Sequence, residues 1–275
     1  MSQGGESHST RVRRVHEGTD QAVNHRLFSG GTGPSRSSSK QSQTISLSIL
    51  GGFELGVNGR VLALPKTARR LLAFLAFFES PVERLFAAHS LWINATEKHA
   101  EGNLRTALWR VSQVGCPMIV VSSGQLTLSP HLVVDYRLNL ALARHILDNA
   151  GSLNEKDLND VAFVQDLLPG WDEDWVLVER ERYHQLRLHV LDALCSELVT
   201  RGRFGRAIQA GLAAVAAEPL RESANHALIC AYVAEGNVCE AIRHYEYFSR
   251  LLWAELRVRP TSRTSKMIDA LVNEC

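Results

Sequence analysis

The chain has 275 residues, 45% of them hydrophobic, with 30 Lys plus Arg against 29 Asp plus Glu and a formal net charge of +1. That length suggests about two domains, and that composition can fill real cores. It argues against a bilayer span and a secretory leader, because the longest unbroken apolar run, residues 71–78, falls far short of the roughly 20 residues needed, and the first 40 residues hold no apolar stretch. The five Cys are scattered and without CxxC spacing. They read as reduced cytosolic thiols packed as small apolar residues, with neither zinc nor a disulfide framework suggested.

The near-zero charge averages unequal parts. Residues 1–43 carry six basic and three acidic side chains, residues 44–134 eight and five, and residues 135–275 sixteen and twenty-one. A basic leading part beside an acidic trailing part points mildly to a polyanionic partner for the former. Residues 1–43, rich in Ser and Gly and poor in apolar residues, read as a disordered tail. Its Arg-Val-Arg-Arg at 11–14 is either a solvated basic run or a phosphate contact.

Residues 44–134 read as a small α/β unit. Strict alternation over 45–49 predicts a half-buried strand, continued by Phe53, Leu55 and Val57. Asn58-Gly59 signals a type I′ hairpin turn, with 61–64 as the return strand. Pro65 stops the sheet, and helices follow over 66–78, 84–92 and 98–114, the last ended by Gly115 and Pro117. Residues 118–121 and 125–128 flank Ser122-Ser123-Gly124 as another hairpin. Three helices followed by a hairpin is the order of a winged helix.

Residues 135–275 read as all helix. Asp135 caps a helix to about 147, and Asn154 another to about 168. Pro169-Gly170 breaks the chain, 175–201 forms a long amphipathic helix, and three more follow. Gly202, Ala207 and Ile208 recur as Gly236, Ala241 and Ile242, and Ala193-Leu194 recurs as Ala227-Leu228. The offset of 34 is the period of the tetratricopeptide repeat. The fold class is therefore mainly α with a small α/β part, in three segments: tail 1–43, winged helix 44–134, helical domain 135–275.

On the third helix, Leu104, Leu108, Val111 and Gly115 fall on the core side, with Ala107 and Val114 beside them. The opposite side carries Thr106, Trp109, Arg110 and Gln113, flanked by Asn103 and Arg105. Arg pairs with guanine, Asn and Gln with adenine, and Thr meets the thymine methyl. This face is either a DNA-reading surface or an ordinary solvated helix face. Trp109 is open to three uses: a contact with the sugar-phosphate wall, packing on a partner, or resting against the wing. Lys66, Arg69 and Arg70 open the first helix, as phosphate contacts or as surface charge. The tip, 122–124, has no Lys or Arg, which argues against a strong minor-groove contact.

Enzyme signatures are missing: there is no Walker A loop, no GxGxxG and no HExxH. His184 and His189 are five apart, which does not suit two ligands on one helix face. Asp172, Glu173 and Asp174 suit the positive end of a helix better than a metal site. No metal, cofactor or catalysis is expected.

The stretch ILGGFELGVNGRVLALPKTARRLLAFLAF resembles the start of the winged-helix domain of antibiotic-regulatory-protein-type (SARP) activators, and EGNLRTALWRVSQVGCPMIVV resembles their recognition helix and next strand. LLPGWDEDWVLVERERYHQLRLHVLDAL, then RGRFGRAIQAGLAAVAAEPLRESANHALICAYVAEGNVCEAIRHYEYFSRLL, is similar to their bacterial transcriptional activator domain (BTAD). The resemblance spans about 44–272. It implies an OmpR-like winged helix joined to a tetratricopeptide-like domain. It further implies a cytoplasmic activator that binds promoter DNA at direct repeats, as a homodimer, and recruits RNA polymerase. It places Asn103, Arg105, Thr106, Trp109 and Arg110 at recognition positions and Lys66 and Arg69 among backbone contacts. Some relatives carry a nucleotide-binding module after the helical domain; none is expected here. Related recognition helices often continue with further Arg, where this chain has Val111-Ser112-Gln113, so binding is expected to be weaker. The alternative is a protein-interaction adaptor with a weakened DNA-binding winged helix.

Overall fold

Two short sheets frame three helices in the first part of the molecule. The computed structural model describes residues 44–149, 151–154 and 163–274. The readings for 1–43 and for 155–162 lie outside them. The first sheet has the order β3-β2-β1-β7, from β1 Ile45–Ser48, β2 Glu54–Val57, β3 Arg60–Val61 and β7 Leu132–Val134. The expected alternation is visible as burial: Ile45, Leu47 and Ile49 are all buried. Asn58 and Gly59 both take positive φ, 51° and 76°, as a type I′ turn requires. The return strand is shorter than expected. It pairs only over Arg60–Val61, Leu62 N–H donates to Leu55 O, and the chain then turns away toward Pro65.

Helix α1, Lys66–Ala76, follows Pro65 directly and buries every residue from Leu71 to Ala76. β4, Val82–Glu83, was not anticipated. It is two residues long, between Pro81 and the next helix, too short for any periodicity to show. It joins β6 Gln125–Leu128 and β5 Ile119–Ser122 in a second sheet, order β4-β6-β5, so the expected hairpin has a third strand. Helices α2 Arg84–Leu91 and α3 Glu97–Ser112 lie between β4 and this hairpin.

β7 pairs parallel with β1 and runs straight into α4, Asp135–Asp148. Asp135 is the first helical residue rather than the cap. Its carboxylate accepts hydrogen bonds from the backbone N–H of Ile49 (3.0 Å) and Leu50 (3.2 Å), joining the helix start to the end of β1. Residues 163–168 are not helical as expected. Leu167 bridges Leu50, and Leu168 N–H donates to Ile49 O. An extended segment that completes hydrogen bonds at the end of β1 cannot at the same time wind into a helix.

Among the described residues the remaining helices are α5 Asp174–Thr200, α6 Phe204–Ala217, α7 Glu222–Glu235, α8 Val238–Leu256 and α9 Ser262–Glu274. Four helices therefore follow the long one, where three were expected. The 34-residue repeat is exact in its turns. Gly202 and Gly236 both have positive φ, 69° and 89°. Arg203 N–H donates to Leu198 O and Asn237 N–H to Tyr232 O, the same backbone bond 34 residues apart. Ala207 and Ala241 are both fully buried.

At Gly211 a Cβ would lie 3.1 Å from Leu228 Cα, so α6 and α7 touch backbone to side chain there. Gly211→Ala is expected to cost about 1–3 kcal/mol by overpacking, read as a lowered urea midpoint with unchanged slope. Burial lowers the His244 pKa, and its Nε2 lies 2.9 Å from Asn225 Oδ1. The unfolded chain therefore binds that proton more readily than the folded one. Stability from the neutral ring is full above the ordinary His pKa of about 6.5 and is lost as the pH falls below it. Thermal unfolding between pH 7.5 and 5 is expected to show this fall, and His244→Gln to flatten it.

The described residues belong to one compact unit. The boundary expected at 134/135 falls between β7 and α4, and the core runs across it: Tyr136 of α4 and Val176 and Tyr183 of α5 pack in the same cluster as β1, α1 and α3. The first half of α5 thus completes the winged-helix core, and its second half opens the repeat core.

Candidate nucleic-acid interface

Helix α3 buries Ala100, Leu104, Ala107 and Val111, a 4-3-4 spacing that defines one face. Leu108 and Val114 are only half-buried and Gly115 is exposed, so the buried seam is narrower than expected. The opposite face exposes Asn103, Arg105, Thr106, Trp109 and Gln113. Arg105 makes a 3.7 Å ion pair with Glu101 one turn earlier, with both side chains largely in solvent. Thr106 Oγ1 donates to Gly102 O, so its hydroxyl is held by the backbone of its own helix. Trp109 is 60% exposed. Arg110 differs from the others: it is half-buried and donates to Thr67 Oγ1 of α1 at 2.7 Å.

The wing stands beside this helix. Ser123 and Gly124 turn it with φ of 50° and 80°, and Gly124 O accepts from Arg84 N–H, which ties the tip to the start of α2. Gln125 Nε2 donates to Glu83 Oε1 across the β4–β6 pair. Between α3 and β5 runs a groove of about 690 Å³ whose lining includes Arg84, Arg105, Trp109 and Val121. Trp109 therefore flanks the wing groove instead of resting flat on the wing. Arg84 was missed by sequence reading; only the β4 pairing brings it to this groove.

The three basic residues of α1 separate. Lys66 is exposed at the helix start. The Arg69 guanidinium lies 5.1 Å over the Phe53 ring and 5.6 Å over Trp171. Arg70 pairs through Nε with Glu173 at 3.0 Å and donates to Leu91 O at 2.7 Å. Glu173 occupies the N-cap position and Asp174 the first turn of α5, as expected for the acidic run, but no side-chain cap hydrogen bond forms and Glu173 pairs with Arg70 instead.

A dense seam holds this face against the helical domain. Arg137 of α4 donates to Ala76 O (3.0 Å), Leu75 O (2.9 Å) and Phe78 O, closing the carbonyl end of α1. Arg180 of α5 donates to Leu167 O (2.8 Å), Trp171 O (2.9 Å) and Leu168 O. Tyr136 Oη donates to Glu179, and burial drives its pKa far up. Among the described residues, no helix is long and apolar enough to cross a membrane, and no group of three His, Cys, Asp or Glu is placed to hold a metal ion.

Residues 160–272 match the family model of the bacterial transcriptional activator domain. The fold is similar to that of Mycobacterium tuberculosis EmbR, solved in complex with a low-affinity phosphopeptide: TM-score 0.70 at 16% identity, over 84% of this chain and 66% of that one. This chain thus spans just under two thirds of that protein. No curated protein matches the chain. The fold is that of a winged helix joined to a helical domain, and the helical part carries the likeness to the bacterial transcriptional activator domain.

Proposed function

We propose that the chain is a sequence-specific DNA-binding transcriptional activator, cytoplasmic and non-catalytic, acting as a homodimer on direct repeats and recruiting RNA polymerase. The observation that carries this reading is the uncovered face of α3, with Asn103, Arg105 and Thr106 exposed opposite a buried seam and a wing alongside. These side chains reach base edges when α3 enters the major groove. Trp109 meets the groove wall, Gln113 lies at the far end of the helix, and Arg110 braces α3 on Thr67. Among the basic residues of α1, Lys66 is the phosphate contact; Arg69 and Arg70 hold the surrounding surface in place.

Selection of bound sites from a random DNA pool tests this, followed by salt-titrated shift assays on the winning site. Enrichment of a repeated motif, and transcription stimulated from a promoter carrying it, are expected. A pool with no enrichment would favour the adaptor reading. That second reading draws on the apolar character of the wing face: Trp109, Val120 and Val121 are all exposed, and Arg69, Arg70 and Arg110 are held by internal contacts.

A further inference from the structure

We propose that His226 Nε2, Cys230 Sγ and Met267 Sδ form a three-coordinate site for a soft monovalent metal ion, Cu(I), that ties α9 to the repeat. His226 and Cys230 stand four residues apart on α7, so they share one face, and Met267 reaches Cys230 from α9. Cys230 Sγ lies 3.6 Å from His226 Nε2 and 3.7 Å from Met267 Sδ. Metal–sulfur bonds of about 2.3 Å and metal–nitrogen bonds of about 2.0 Å, arranged trigonally, put sulfur about 3.7 Å from nitrogen and about 4.0 Å from a second sulfur. Both separations measured from Cys230 Sγ therefore stand close to ligand spacing before any ion enters.

The donor set selects the ion. Thiolate and thioether are soft ligands that favour Cu(I). The nearest carboxylate is occupied elsewhere: Glu222 Oε1 accepts from Thr261 N–H, Thr261 Oγ1 and Thr264 Oγ1. Charge points the same way. Arg263 lines the same cavity as His226 and Cys230. A monovalent ion on one thiolate is neutral overall, whereas a divalent ion would leave a net positive charge beside that guanidinium. Loading replaces the S–H bond with an S–Cu bond and releases the proton to solvent.

The surroundings suit a site. Thr264 Oγ1 stands 3.4 Å from His226 Nδ1, on the side of the ring away from the sulfurs, where an outer partner orients a ligating imidazole. A cavity of about 530 Å³, lined by His226, Cys230, Arg263 and Thr264, gives access from solvent. The apolar cluster that holds α9 contains only Ile229, Ala241 and Ile268 as buried members, so a metal tie would add substantially to its hold.

The test uses the full chain under anaerobic, reducing conditions. Cu(I) is titrated in competition with bathocuproine disulfonate. One equivalent per chain is expected, with one nitrogen and two sulfur neighbours by X-ray absorption and slower tryptic cleavage after Arg257. Cys230→Ser is expected to weaken binding at least 100-fold and Met267→Leu about tenfold, with unchanged circular dichroism. Wild-type affinity in Cys230→Ser would assign any copper to other thiols and overturn the proposal. So would an unchanged two-sulfur signature in Met267→Leu, or Zn(II) binding as tightly as Cu(I).

Discussion

Arg105→Ala is expected to weaken binding to the selected DNA site about 10- to 100-fold and to relax preference at one base pair, while folding is unchanged. A bidentate base contact contributes about 1–3 kcal/mol of discrimination. Arg105 has little to lose in the free protein, because its pair with Glu101 is long and exposed, and such pairs contribute about 0–1 kcal/mol. Lys66→Ala gives the contrasting signature: a uniform loss across sequences and a salt slope smaller by about one. Shift assays from 50 to 300 mM salt, on the selected site and on a scrambled one, distinguish the two. Unchanged affinity and preference in Arg105→Ala would remove α3 as the reading element.

Arg137→Met is expected to lower folding stability by about 3 kcal/mol, the largest single-residue effect outside the apolar core. Its guanidinium satisfies three carbonyls at the end of α1, and methionine keeps the stem while leaving those acceptors partly dry. Burial lowers the Arg137 pKa, because its charge sits where water solvates it poorly. Urea unfolding followed by tryptophan fluorescence measures the loss. Since Phe77, Tyr136 and Trp175 form one aromatic group across the seam, the winged helix and the first half of α5 are expected to unfold together. Two separate transitions in the wild type would contradict a shared core.

Much of this architecture was legible because its signals are local. Asn58-Gly59 and Ser123-Gly124 mark hairpins by the positive φ they tolerate, and Gly202 and Gly236 mark repeat turns for the same reason. The buried face of α3 follows from helical spacing, and so does its exposed face. The illegible parts depend on residues distant in sequence. Asp135 reads as a cap until Ile49 and Leu50 are brought to it, 86 and 85 residues away. Arg69 and Arg70 read as free charge until Trp171 and Glu173 fold over them. β4 is too short to show a period. Met267 belongs to no ligand motif, and its separation of 37 positions from Cys230 hides their meeting.

The direct passage of β7 into α4, locked by Asp135, means that α3 and the repeat turn as one piece. For the function proposed above, each protomer then presents its helical domain at one azimuth around the duplex. Inserting five base pairs between two half-sites rotates one protomer by about half a turn and carries its activator surface to the opposite side, whereas inserting ten restores the phase. Transcription should therefore oscillate with spacer length at the period of the double helix, and the amplitude of that oscillation would report the stiffness of the joint.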